Sequence, residues 1–182
     1  MGYEKFEKNI IDMLIEQQLK LGFMEESVRL YYPLSSLSVL LDKCDTGTDS
    51  FTIDAAEAAL REFKEEVKDR LGEISFERKK DRFCIVIPKE GGQYVHDHMP
   101  EKLFIKDLIE LVAHHCNIEE IIDLFNNNSD AVHIEEVSDN DFKYLIYFEK
   151  GIPDDYYYCF NIEGEHVIYH RYTKKDYLDL FE

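Results

Sequence analysis

The sequence predicts an α+β fold: a helical N-terminal part packed on an antiparallel sheet, a C-terminal four-stranded meander, and a short terminal helix. Three observations predict it. Apolar residues recur at helical spacing through residues 4–21, 52–71 and 103–125. From Asp130 onward the period switches to two, and turn residues separate four short runs. Strands that follow the helices as a group, rather than alternating with them, point to antiparallel pairing. A length of 182 residues predicts one domain, residues 1–182, although two small ones also fit. Such a chain needs neither disulfide nor metal to build a core, and 45% hydrophobic content argues for an ordered globule.

Phe6, Ile10, Met13, Leu14 and Leu21 define the first helix, and Gly22 stops it. In the next segment Pro33 interrupts any helix, and Ser35 or Ser36 is placed to cap a short one burying Leu37, Leu40 and Leu41. Asp45 to Ser50 reads as a polar loop. Ser50 or Thr52 then opens a helix whose stripe is Ala56, Ala59, Leu60, Phe63, Val67 and Leu71, ended by Gly72. Strands are expected over 74–78 and 83–87, joined by Lys79-Lys80-Asp81. Phe83-Cys84-Ile85-Val86-Ile87 is apolar on both faces, so it reads as a central strand, closed by Pro88.

Residues 89–101, containing Gly91-Gly92, read as irregular. Residues 103–115 are apolar nearly all round and read as a buried helix. Asn117-Ile118-Glu119-Glu120 has the form of a capping box, opening a helix to about Phe125 that the run Asn126-Asn127-Asn128 ends. Strands are expected over 131–137, 142–148, 155–162 and 165–172, with turns at Asp139-Asn140 and Glu163-Gly164. Thr173 caps a last helix carrying Tyr177, Leu178, Leu180 and Phe181.

Charge narrows the function. The chain holds 39 Asp and Glu against 21 Lys and Arg, and the excess is uneven: residues 91–182 hold 20 acids and 7 bases. Phosphate neutralisation drives nucleic-acid binding, so this field argues against a nucleic-acid partner, and likewise against an anionic membrane surface. It serves solubility, or steers in a basic protein or peptide. No apolar run follows a basic start, so neither a signal peptide nor a membrane span is expected. The four cysteines show no CxxC spacing, and a reducing cytoplasm is the expected location.

Eight of the twelve tyrosines fall between Tyr144 and Tyr177. On a strand, Tyr156 and Tyr158 continue with Phe160 and Ile162 as a core row. Tyr157 then shares the other face with Asp155, and Asp154 lies in the adjoining turn. Tyrosine offers a large contact area at small entropic cost, so Asp154, Asp155 and Tyr157 are the candidate binding residues for a basic partner. The alternative is a metal-dependent enzyme centred on His96 and His98. In extended chain these two point the same way, and His115 joins them if the 103–115 helix folds back. No HExxH or helical i, i+4 histidine pair supports it. Cys116, beside His114 and His115, is a weaker candidate nucleophile. No Walker or GxGxxG pattern is present, and no cofactor is expected. A small-molecule pocket between helices and sheet is a third reading.

The segments VRLYYPLSSL (28–37), RFCIVIP (82–88) and GIPDDYYYCFNIEGEHVIYHRYTKKDY (151–177) together resemble an uncharacterised family of small bacterial proteins, a domain of unknown function. The likeness covers most of the chain. It implies a bacterial cytoplasmic setting and carries no activity, substrate or catalytic residue with it.

Overall fold

The structure, a computed structural model, describes residues 3–41, 51–80, 82–137, 141–164 and 166–181. The chain divides into two compact units, Met1–Glu101 and Lys102–Glu182. Each is α+β with its own antiparallel sheet.

The N-terminal unit opens with α1 (Glu4–Leu21), which buries Phe6, Ile10 and Leu14 and ends at Gly22, φ 80°. β1 (Val28–Pro33) follows, then α2 (Leu34–Leu40), α3 (Ile53–Glu66), α4 (Lys68–Leu71), β2 (Ser75–Lys79), β3 (Arg82–Ile87) and α5 (Lys89–Asp97). The sheet order is β1-β3-β2. The doubly apolar β3 is therefore central, as its composition requires, with Ile85 opposite both Leu30 and Phe76. The Phe6 ring lies 5.2 Å from Tyr32 of β1 and 4.7 Å from Phe63 of α3, tying helices to sheet. The Tyr32 hydroxyl donates to Asn9 Oδ1 at 2.9 Å, which satisfies a buried polar pair. Arg70 Nη2 donates to Glu7 Oε2 at 2.9 Å and holds α4 to α1.

Three expectations are corrected in this unit, and one element forms where the sequence offered no assignment. Residues 28–33 form a strand; Pro33 sits at the last position of an edge strand, where its missing N–H costs least. α2 starts directly after Pro33, whose extended backbone (φ −67°, ψ 157°) takes the cap position expected at Ser35 or Ser36. The long 52–71 helix breaks at Val67 into α3 and α4, while Thr52 caps it as expected, accepting from the Ala55 amide at 3.2 Å. Residues 89–97 form a helix despite two glycines. A Cβ on Gly91 would overlap the Leu71 carbonyl oxygen and lie 2.7 Å from Ile87 Cγ2, so close approach selects glycine there. The expected loop at Asp45–Ser50, with Cys44, lies outside the described residues, as does Asp81 of the β2–β3 turn.

The C-terminal unit begins with α6 (Phe104–Ala113) and α7 (Ile118–Asn128). α6 buries Phe104, Ile105 and Leu108 while Asp107 and Glu110 stay exposed, so it is buried on one face rather than all round. The capping box forms: Asn117 Oδ1 accepts from the Glu120 amide and Glu120 Oε2 accepts from the Asn117 amide, both at 2.9 Å. α7 runs through the asparagines, and Asn128 Nδ2 donates to the Leu124 carbonyl at 2.9 Å, closing its last turn. The meander is β4 (Val132–Glu136), β5 (Tyr144–Phe148), β6 (Tyr156–Glu163) and β7 (His166–Thr173), in that spatial order. Glu163 pairs with His166, so Gly164 (φ 67°) is the first linking residue of that hairpin, one position later than expected. The turn expected at Asp139-Asn140 lies outside the described residues. α8 (Lys174–Phe181) is capped by Thr173 Oγ1, which accepts from the Asp176 amide at 3.1 Å.

Both faces of the meander are covered. On one, Phe104 and Phe125 pack edge-on against Tyr158, with ring centroids 5.8 and 5.3 Å away. On the other, α8 places Tyr177, Leu178 and Phe181 over Leu145, Tyr157 and Cys159. Among the described residues, no helix is long and apolar enough to cross a membrane.

Candidate functional site

Parity along β6 follows the expected pattern, with Tyr156, Tyr158 and Phe160 buried. Tyr157, expected to be exposed, is half-buried. It belongs to an in-register row across all four strands, His133, Tyr147, Tyr157 and Tyr172. Its ring stacks on Tyr147 at 4.2 Å and meets Tyr177 of α8 at 5.1 Å. Burial pushes the Tyr147 hydroxyl up, with the Tyr157 hydroxyl adding to it.

Asp154 is engaged inside the fold. Its Oδ1 accepts from the Tyr156 amide at 3.2 Å and its Oδ2 from the Tyr158 hydroxyl at 2.6 Å. Burial pushes the Tyr158 hydroxyl well above its ordinary value; Asp154 adds to this and the Arg171 guanidinium opposes it. Arg171 also lies over the Tyr156 ring, 4.2 Å from its centroid. Asp155 is exposed beside this network. The three expected binding residues thus divide between an aromatic row, a part-buried polar bundle and the surface.

The histidines are not arranged as the extended-chain argument required. His96 lies within α5 and His98 caps its C-terminus, so helical geometry replaces the strand-like i, i+2 alignment. The His96 ring lies 5.1 Å from Phe23; the His98 ring stacks on Tyr94 at 4.2 Å and its Nδ1 donates to the Tyr94 carbonyl at 2.8 Å. His115 belongs to the other unit. Among the described residues, no group of three or more His, Cys, Asp or Glu is placed to hold a metal ion. Burial pushes the Cys116 thiol up, which disfavours the thiolate a nucleophile needs.

A cleft of about 520 Å³ lies at the end of β6 away from Asp154 and Asp155, wholly within the C-terminal unit. The chain builds it from the corner between α6 and α7 and from the β6–β7 hairpin. α6 ends at Ala113; the His114 Nδ1 donates to the Glu110 carbonyl at 2.6 Å, and His115 turns left-handed at φ 58°. Cys116 is buried, and Asn117 starts α7, which brings Ile118, Glu119 and Glu120 to the wall. Tyr144, Ile162, Gly164 and Val167 complete it from the sheet. A volume of several hundred Å³ is that of a small-ligand or side-chain pocket. Its lining combines apolar Ile118, Ile162 and Val167 with ionisable Glu119, Glu120, Tyr144 and His115. His166 stands beside it, its ring 4.7 Å from that of His115.

Of the residues singled out in the sequence, His115 and Cys116 line this cleft. Glu119, Tyr144, Ile162 and Val167 were missed as site residues. The capping box at 117–120 marks Glu119 as part of a helix start and the two-residue period marks Ile162 as core; neither carries a hint of a cavity.

The chain matches, over residues 3–181, the family model described as "Domain of unknown function, E. rectale Gene description (DUF3877)", and it belongs to that family. No curated protein and no solved structure shows a significant match.

Proposed function

We propose that this protein is a non-catalytic acidic binding protein that recognises a basic protein or peptide through its C-terminal sheet, taking a lysine or arginine side chain into the cleft. The observation that carries the reading is the pairing of apolar side chains with carboxylates in one concavity of a unit rich in acids. Residues 102–182 hold 18 Asp and Glu against 7 Lys and Arg. A long basic side chain suits such a wall, laying its methylenes on Ile162 and Val167 and its charged head toward Glu119. Field and cleft have separate roles: the field speeds encounter and favours basic partners, and the cleft selects one side chain. The buried thiols of Cys84, Cys116 and Cys159 are free, which fits residence in the bacterial cytoplasm.

The test is fluorescence anisotropy with a labelled peptide carrying two arginines, at low ionic strength. Glu119→Gln is expected to weaken binding about fivefold, equivalent to about 1 kcal/mol. Glu65→Gln, an equal change of charge on the exposed face of α3, is expected to leave it unchanged. Equal losses in both variants would mean that net charge alone attracts the peptide. No binding by the wild-type protein would sink the basic-partner reading altogether.

A further inference from the structure

We infer that the cleft releases its basic occupant in mild acid through the His115–His166 pair. The inference rests on the reading of the cleft as a site for a basic side chain, and adds its regulation. His115 follows the C-cap of α6 and is left-handed, φ 58°. That position most often carries glycine, because a Cβ crowds the backbone there. The other described non-glycine residue with positive φ is Lys80, which lies in the tight β2–β3 turn. At His115 the chain keeps an imidazole where glycine fits best, and that ring meets His166 at 4.7 Å from the start of β7.

Protonation of this pair acts on the occupant in two ways of the same sign. Two imidazolium groups beside the cleft repel a cationic head directly. They also compete with it for the carboxylates around them. Among the described residues these include Glu119 and Glu120 on α7 and Glu163, the cross-strand partner of His166. Among the described residues, Cys116 and Tyr144 also line the cleft, and His114, the chain neighbour of His115, is bonded to the Glu110 carbonyl. Imidazole is the side chain that ordinarily changes charge between about pH 8 and 5, whereas carboxylates ordinarily stay ionised down to about pH 4.5.

The experiment measures affinity for the same two-arginine peptide at about pH 7.5 and about pH 5.5, a window spanning the ordinary imidazole range. The readout is the ratio of affinities within each variant, whatever its neutral affinity. Wild-type binding is expected to weaken about tenfold in acid, the effect of about 1.4 kcal/mol. The double variant His115→Gly, His166→Gln is expected to lose most of that ratio, and His133→Gln, on β4, to keep it. His115→Gly suits the left-handed backbone, so the double variant is expected to fold, with an unreduced melting temperature. Equal wild-type affinity at the two pH values would overturn the inference while leaving the basic-occupant reading intact. So would a wild-type ratio in the double variant. No binding at the higher pH would overturn both.

Discussion

Tyr158 and Asp154 belong to one interaction that holds the start of β6. The phenol is fully buried, its hydroxyl donates to Asp154, and Asp154 also receives the Tyr156 amide. Asp154→Ala removes that acceptor and is expected to cost about 2 kcal/mol, read by urea unfolding. The same interaction sets an alkaline limit. Native Tyr158 holds its proton well above 10, whereas an unfolded tyrosine releases it near 10. The unfolded state then binds fewer protons, so this contribution is complete below about pH 10 and is lost as pH rises beyond it. Tyr158→Phe is expected to flatten the decline of melting temperature above that pH. At His115, glycine is expected to relieve about 1 kcal/mol of left-handed strain in the same assay. The inward parity of Tyr156, Tyr158 and Phe160 was legible in the sequence because a two-residue period is local. The half-burial of Tyr157 was not, because it depends on α8 returning across the sheet to bring Tyr177 onto that ring.

Elements whose ends carry their own hydrogen-bonding partners were legible from sequence. The Asn117–Glu120 box, Thr52 and Thr173 each satisfy helix amides within three residues. α5 was not legible, since its reason is tertiary. Gly91 weakens the helix locally and is required because α5 passes directly over Leu71 and Ile87. Gly91→Ala is therefore expected to destabilise by about 1–3 kcal/mol through overpacking, despite its better helix propensity. Gly92→Ala, where a Cβ would have its nearest neighbours at 3.9 Å, is expected to stabilise by about 0.5–1 kcal/mol. Thermal melts of the two neighbouring variants should move in opposite directions. β1 escaped for a related reason: Pro33 looked like a helix breaker, and its role as the last residue of an edge strand depends on pairing with Arg82, far along the chain.

At the scale of the molecule, two α+β units share one chain, and the acidic excess concentrates in the second. The fold class was legible because helices and strands fall into blocks. The cleft was not, because its wall joins residues 115–120 to Tyr144, Ile162 and Val167, positions that only the closed meander brings together. The tyrosine run that dominates the sequence serves chiefly the two packed faces of that meander, and its concave end carries the proposed chemistry. The central claim is most directly tested by amide chemical-shift mapping of the isotope-labelled protein titrated with the two-arginine peptide. Saturable shifts concentrated at Cys116, Ile118, Gly164 and Val167 are predicted. Shifts centred on Asp154 to Tyr157, or spread over the acidic surface without a focus at the cleft, would contradict the account.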